Sequence, residues 1–261
     1  MTVPVPAAAR ALAVLEALAE SPGPMTAAGL ARQVGVPRSS MYQLLAVMAE
    51  RGFVTHLAAD ERWGLGLAAF EVGAAYLRHD PMDRIAQPLL RRLVEQAVPS
   101  AAVVAHLGVL AGHETLYLVK EQDPQTVTVV TDIGVRLPAA LTASGRAILA
   151  VLPRPQVRAL FSARDAFVDR TGSGPTSLSA LAAMLAEERR RGYAEEDGFI
   201  TDGYASVAVP VLDRSGRPVA AIGLTFRSDA VPAPTRGRLA RAAGRCAADV
   251  ARRLDPSHRD P

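Results

Sequence analysis

Lysine is almost missing from this chain. Lys120 is the only one, so nearly all of the 29 basic residues are arginine. Cysteine is as scarce: Cys246 stands alone, which excludes an internal disulfide framework. The alanine-rich helical pattern around it reads as a packed core thiol. No apolar run approaches the ~18 residues of a membrane helix. Met1–Arg10 has no cationic start leading into an apolar core, as a secretory signal would. These absences predict a cytoplasmic protein without a membrane partner. The histidines, His56, His79, His106, His113 and His258, are scattered, and none forms a metal-type pair at i, i+4. Ser144 lies in TASGR, which is not the Gly-x-Ser-x-Gly elbow of hydrolases. Gly172-Ser173-Gly174 lacks the Gly-Lys-Ser/Thr that completes a phosphate loop. Glu195-Glu196-Asp197 is a carboxylate run, and such runs are usually solvated. The expectation is a non-enzyme with no catalytic residue, no metal and no cofactor.

What is present is a pattern near the amino end. The hydrophobic content of 49% allows a real core, and 261 residues allow two domains. In Thr26–Thr55, Thr26 is a good N-cap, and Leu30, Ala31 and Val34 make one buried stripe. Gly35 stops that helix and Pro37 suits the first turn of the next. Met41, Leu44, Leu45 and Met48 then repeat at i, i+3, i+4, i+7, so Pro37–Arg51 reads as an amphipathic helix ended by Gly52. Its other side carries Arg38, Ser39, Gln43 and Glu50, with Tyr42 on the flank. A short helix that buries one side and offers small polar groups and an arginine on the other suits a DNA major groove. Over residues 1–80, six arginines stand against seven carboxylates. The excess positive charge therefore lies elsewhere, and DNA contact would depend on where single arginines sit.

Around this pair, Val5–Glu20 reads as a first helix with Leu12, Val14, Leu15 and Leu18 inward. Phe53–Thr55 and Arg62–Leu65 read as strands of a wing about the turn Ala58–Glu61. Gly66–Arg78 reads as a linker helix that packs through Phe70, Val72, Ala75 and Tyr76, and Pro81 marks a boundary. Beyond it, helices are expected at Met82–Ala97, Thr142–Val151, Ser177–Arg191 and Pro234–Leu254. Strands are expected at Ala101–Leu110, Thr115–Glu121, Thr126–Thr131, Ser206–Leu212 and Val219–Phe226, the last two joined across Asp213–Gly216. This mixture predicts an α+β domain around a mostly antiparallel sheet.

The residues also match a known pattern. RALAVLEAL at Arg10–Leu18, LARQVGVPRSSMYQLL at Leu30–Leu45, RWGLG at Arg62–Gly66, LPAALTASGRAILAVLP at Leu137–Pro153, RRGYAEEDG at Arg190–Gly198 and DGYASVAVPVLDRSGRPVAAIGLTF at Asp202–Phe226 fall in an order and spacing that resembles the isocitrate-lyase-regulator (IclR) family of bacterial transcription factors. The resemblance implies a winged helix-turn-helix DNA-binding domain over residues 1–65, a linker helix over 66–80, a GAF-like effector-binding domain over 81–254 and a flexible tail over 255–261. It implies a homodimer or dimer of dimers on a double-stranded DNA operator. It also implies a small-molecule effector, an organic or aromatic acid, with repression favoured over activation. The alternatives are a ligand-binding sensor or scaffold without DNA binding, or a small-molecule enzyme. Four departures stand out: Gln43 where the family commonly has arginine, Arg146 in place of a lysine, Gly198-Phe199 where acidic residues are usual, and Ala97–Ala101 without the usual Thr-Gly-Glu.

For DNA contact the expected residues are Arg10, Arg38, Ser39, Ser40, Tyr42, Gln43 and Arg62. For the effector, the resemblance implies polar contacts near Ala143, Ser144, Glu196, Ser206, Gly223 and Thr225. The free N–H groups at the start of the Ala143 helix suit an anion, and the hairpin brings the hydroxyls of Ser206 and Thr225 near one another. Leu137, Leu141 and Ile148 are expected as the apolar wall. Glu196 is expected to meet a ligand hydroxyl or amine, since a carboxylate repels an acid unless one is protonated or bridged.

Overall fold

The computed structural model describes residues 5–79, 82–97, 102–122, 132–162 and 166–254. The chain divides into two compact units, Met1–Asp80 and Pro81–Pro261.

The first unit runs α1 (Pro6–Glu20), β1 (Met25–Thr26), α2 (Ala27–Val34), α3 (Arg38–Glu50), β2 (Val54–Leu57), β3 (Arg62–Leu65) and α4 (Leu67–His79). Thr26 caps α2 by accepting the Gly29 N–H at 3.1 Å. Gly35 then takes φ 72°, a left-handed conformation that costs an L side chain energy, and the chain turns sharply into α3. The core joins Val14, Ala17 and Leu18 of α1 to Leu30 and Ala31 of α2 and Met41, Leu45 and Met48 of α3. Leu12 is not part of it, being 60% exposed. At 100° per residue it falls almost opposite Val14, so the inward stripe is filled by Ala17 instead. The wing strands pair antiparallel, and the two-residue strand β1 adds to β3, an element too short to leave a periodic signature. On α4, Phe70 and Val72 are exposed rather than packed. The side chain of Tyr76 lies outside the described residues.

The second unit contains α5 (Met82–Glu95), β4 (Val104–Ala111), β5 (Glu114–Gln122), β6 (Arg136–Pro138), α6 (Ala143–Val151), α7 (Arg154–Leu160), α8 (Leu178–Arg191), β7 (Ala194–Asp197), β8 (Tyr204–Leu212), β9 (Pro218–Arg227) and α9 (Ala233–Leu254). The strands form one antiparallel sheet in the order β6-β5-β4-β9-β8-β7, the α+β arrangement expected of a GAF-like sensor. The expected strand Thr126–Thr131 and the tail 255–261 lie outside the described residues. The short elements β6, α7 and β7 were not anticipated.

Strand alternation sorts the two faces. Ala105 and Leu107 of β4, Val207, Val209 and Val211 of β8, and Ile222, Leu224 and Phe226 of β9 pack against α5 and α9, where Cys246 is also buried. Burial pushes the Cys246 thiol up to about 11, so it stays protonated and inert. The other face is lined with small residues, Gly108, Ala208, Ala221 and Gly223, and α6 lies close upon it. A Cβ at Gly223 would sit 2.5 Å from Ser144 Oγ, so only glycine permits that approach. Residues Ala143 to Ala150 of α6 are all buried.

Candidate functional site

Two surfaces carry the chemistry, one in each unit. On α3 the underside Met41, Leu45 and Met48 is buried, which leaves Arg38, Ser39, Tyr42, Gln43, Ala46, Val47 and Glu50 on a single exposed face. At 1.5 Å per residue this rod is about 20 Å long, matched to a major groove. Pro37 occupies the N-cap and makes no side-chain cap bond. The first N–H groups of α3, which have no partner inside the helix, therefore stay available beside Arg38 and Ser39 for an anionic oxygen.

Four of the seven expected DNA-contacting residues, Arg38, Ser39, Tyr42 and Gln43, share this face. Ser40 is half-buried and turns toward the core side. Arg10 is exposed on the first turns of α1. Arg62 is exposed but partly committed: it donates to the Pro24 carbonyl at 2.8 Å, bracing the loop ahead of α2. Its remaining guanidinium N–H groups can still meet a phosphate. Beside it on the wing, His56 stacks on Trp63 with ring centroids 4.6 Å apart.

In the second unit a pocket lies between the start of α6 and the ends of β7, β8 and β9. It encloses about 20 Å³ and is lined by Tyr117, Leu137, Thr142, Ala143, Ser144, Glu196, Ile200, Thr201, Tyr204, Ser206 and Thr225. Ser206 and Thr225 face each other in register across the β8–β9 hairpin, their hydroxyls 3.0 Å apart. Ser206 Oγ also donates to Glu196 Oε1 at 2.8 Å, and the Phe199 N–H donates to Glu196 Oε2 at 3.1 Å. Burial pushes the Glu196 carboxyl above the usual carboxylate range, opposed by those two donors. At the head of α6, Thr142 caps the helix by accepting the Gly145 N–H at 3.0 Å and bonds Thr115 at 2.9 Å. The cap consumes one of the free N–H groups and leaves those of Ala143 and Ser144.

Of the expected effector residues, Leu137, Ala143, Ser144, Glu196, Ser206 and Thr225 line the pocket. Leu141 packs behind it with Tyr117, Leu137 and Ile200. Gly223 contributes no group to the lining; it is the space into which Ser144 fits. Ile148 is not in the wall. It sits on the far turn of α6 against Ala208 and Ala221, because it is five residues, about 140° round the helix, from Ala143.

Tyr117, Thr142, Ile200, Thr201 and Tyr204 were missed. Tyr117 is buried beside Ser144 and Thr142, and burial holds its hydroxyl above its ordinary range. His106 lies against its ring at 5.0 Å. Burial, with help from Lys120, pushes His106 down to about 3, so its imidazole is neutral. Arg146 was also missed as a structural centre. Fully buried, it pairs with Glu188 at 2.9 Å and donates to the carbonyls of Ala140 (2.9 Å), Leu141 (3.0 Å) and Glu195 (2.6 Å). It thereby ties the pocket wall to α8 and β7. The run Glu195–Asp197 is not simply solvated. Period-two alternation sends Glu196 into the pocket, while Glu195 and Asp197 are clamped by Arg236 of α9 at 2.9 and 2.8 Å. Among the described residues, no group of three or more His, Cys, Asp or Glu is placed to hold a metal, and no helix is long and apolar enough to cross a membrane.

This geometry has named counterparts. The family description "IclR helix-turn-helix domain" matches residues 7–58, and "Bacterial transcriptional regulator IclR C-terminal" matches residues 74–252. The chain is 31% identical over 220 residues to the transcriptional repressor IclR of Escherichia coli K12, covering 83% of this chain and 78% of that one. An IclR-type regulator from Silicibacter sp. TM1040 superimposes with TM-score 0.82 at 23% identity, covering 95% of this chain and 96% of the other. An IclR homologue from Microbacterium hydrocarbonoxydans, solved with 4-hydroxybenzoate, gives TM-score 0.77 at 23% identity over 95% and 99% of the two chains.

Proposed function

Because the chain belongs to the IclR family of DNA-binding transcriptional regulators, we propose that it is a cytoplasmic repressor. It would bind its operator as a homodimer or dimer of dimers and answer to a small carboxylic acid. One observation carries the reading: α3 hides Met41, Leu45 and Met48 while Arg38, Ser39, Tyr42 and Gln43 face outward together. In this reading Gln43 reads a base edge, with adenine the matching partner. Arg38 and Ser39, with the first-turn backbone N–H of Ser40, hold phosphates near the helix start, and Arg10 and Arg62 anchor the flanking backbone. Two such helices in a dimer would address half-sites one DNA turn apart or a multiple of it. The exposed Leu67, Phe70 and Val72 of α4 favour a second copy as the cover for that helix.

Residues 1–65 then serve as the DNA-binding domain, 66–80 as the linker and 81–254 as the sensor. The effector's carboxylate would sit on the N–H groups of Ala143 and Ser144. Its hydroxyl or other donor would face Glu196, with Ser206 and Thr225 alongside. Ligand changes DNA affinity only by binding one state of the dimer more tightly than another.

The test is fluorescence anisotropy of the full chain on the intergenic DNA upstream of its own gene, with and without candidate acids. Saturable binding that is lost in Arg38→Ala supports the reading. No binding to that DNA, with acid still bound, supports a sensor without DNA binding. Turnover of the acid would instead mark an enzyme.

A further inference from the structure

The pocket is too small for a ring-bearing acid, and the reason is one side chain. The ring of Tyr117 fills the space among Leu137, Leu141 and Ile200, and its hydroxyl reaches Ser144 and Thr142 at the head of α6. What remains is about 20 Å³. That holds about one water, whereas a cavity known to take benzene measures ~150 Å³. The ring is built in. Gly108 stands opposite Tyr117 in the β4–β5 ladder, and a Cβ there would lie 3.4 Å from Tyr117 Cε1 and 2.9 Å from Thr115 Cγ2. The glycine makes the seat and the tyrosine occupies it. The opposite end of the pocket is different. Its rim is Thr201 and Tyr204, neither of them buried, and its polar groups are Glu196, Ser206 and Thr225.

We propose that Tyr117 sets the size class of the effector: its own phenol takes the place an aromatic ring would need, so this pocket accepts a short aliphatic hydroxy or oxo acid and refuses aromatic acids. This rests on the pocket being the effector site. A short acid needs only Thr201 and Tyr204 to turn aside. Its carboxylate reaches the Ala143 and Ser144 N–H groups and its oxygen function meets Glu196 and Ser206. An aromatic acid would have to expel a buried ring from its packing against Leu137, Leu141 and Ile200.

Isothermal titration calorimetry on the full chain decides it, with glycolate, lactate and pyruvate as short probes and 4-hydroxybenzoate as the aromatic one. Wild type is expected to bind a short acid and to give no heat with 4-hydroxybenzoate. Y117A vacates a phenol-sized space, and Y117L vacates the ring while keeping an apolar filling if Y117A fails to fold. Either is expected to gain at least about tenfold in 4-hydroxybenzoate affinity, while Y117F, which keeps the ring, gains none. Equal 4-hydroxybenzoate binding by wild type and a folded ring-less variant overturns the size gate. If Thr225→Val then weakens that binding in both, the effector site itself stands. Should no variant bind any of the four acids, the pocket is not the effector site and both readings fall.

Discussion

Arg146→Met is the substitution that asks most of the sensor fold. Methionine keeps the approximate length and volume of the side chain but offers no donor. Four hydrogen bonds disappear together: one to Glu188 and one each to the carbonyls of Ala140, Leu141 and Glu195. The stranded Glu188 carboxylate has almost no contact with solvent, and its Oε2 already lacks a hydrogen-bond partner. Removing one member of a buried ion pair costs about 3–5 kcal/mol, on the order of 10 °C in melting temperature for a domain of this size. Burial already raises the Glu188 carboxyl above its ordinary range, with Arg146 opposing. Without the guanidinium that rise grows, so acidification neutralises Glu188 and the cost of the variant shrinks as pH falls. Arg146→Lys should fall between, since one ammonium cannot reach four acceptors spread around a planar fork. Arg146→Met with Glu188→Leu should recover most of the loss, because it removes both charges. Urea denaturation followed by circular dichroism, with the two units fitted separately, measures these differences. A single variant within about 1 kcal/mol of wild type would refute the reasoning, as would a double variant no more stable than the single.

His106 is neutral in the fold, with its pKa pushed down from 6.5 to about 3, and an unfolded chain protonates it near its ordinary value. Its contribution is complete above 6.5 and is lost as pH falls toward 3, so wild type should lose about 2 kcal/mol relative to His106→Gln between pH 7 and pH 5, read from melts at the two values. Gly223→Val drives a side chain into the Ser144 Oγ position. It should cost about 1–3 kcal/mol and abolish acid binding by calorimetry while leaving operator affinity without acid unchanged. Thr225→Val removes one hydroxyl of the facing pair and should weaken acid binding by about 1 kcal/mol or more in a direct titration; identical affinities would remove Thr225 from the site.

Much of this was legible because local rules decided it. Met41, Leu45 and Met48 repeat at helical spacing, Thr26 and Gly35 mark a cap and a turn, and the tight Asp213–Gly216 connection sets the hairpin register that brings Ser206 to Thr225. What was illegible depends on partners distant in sequence. In β5 the pairing with β4 skips Leu118, so Val119 packs on the α5–α9 side while Tyr117, two residues before it, turns to the pocket side, a break in alternation that the sequence does not mark. Both sides of the sheet are covered, so polarity did not reveal that Tyr117 lines a pocket. Arg146 lies in an apolar run where charge suggests an exposed edge, and its acceptor Glu188 is more than forty residues away. Glu195 and Asp197 meet Arg236 at a similar separation, so three adjacent carboxylates looked alike before strand alternation separated them. Leu12, Phe70 and Val72 show the opposite error: apolar residues were assigned inward positions that the geometry of one chain does not provide.

The central claim is that the outward face of α3 reads bases, and selection from a random DNA library by the full chain tests it most directly. Wild type and Arg10→Ala should enrich the same sequence, the variant more weakly throughout. Gln43→Ala should lose preference at one position of each half-site, worth about 1–3 kcal/mol there. If Gln43→Ala and wild type enrich identical sequences with equal preference at every position, α3 does not read DNA as described.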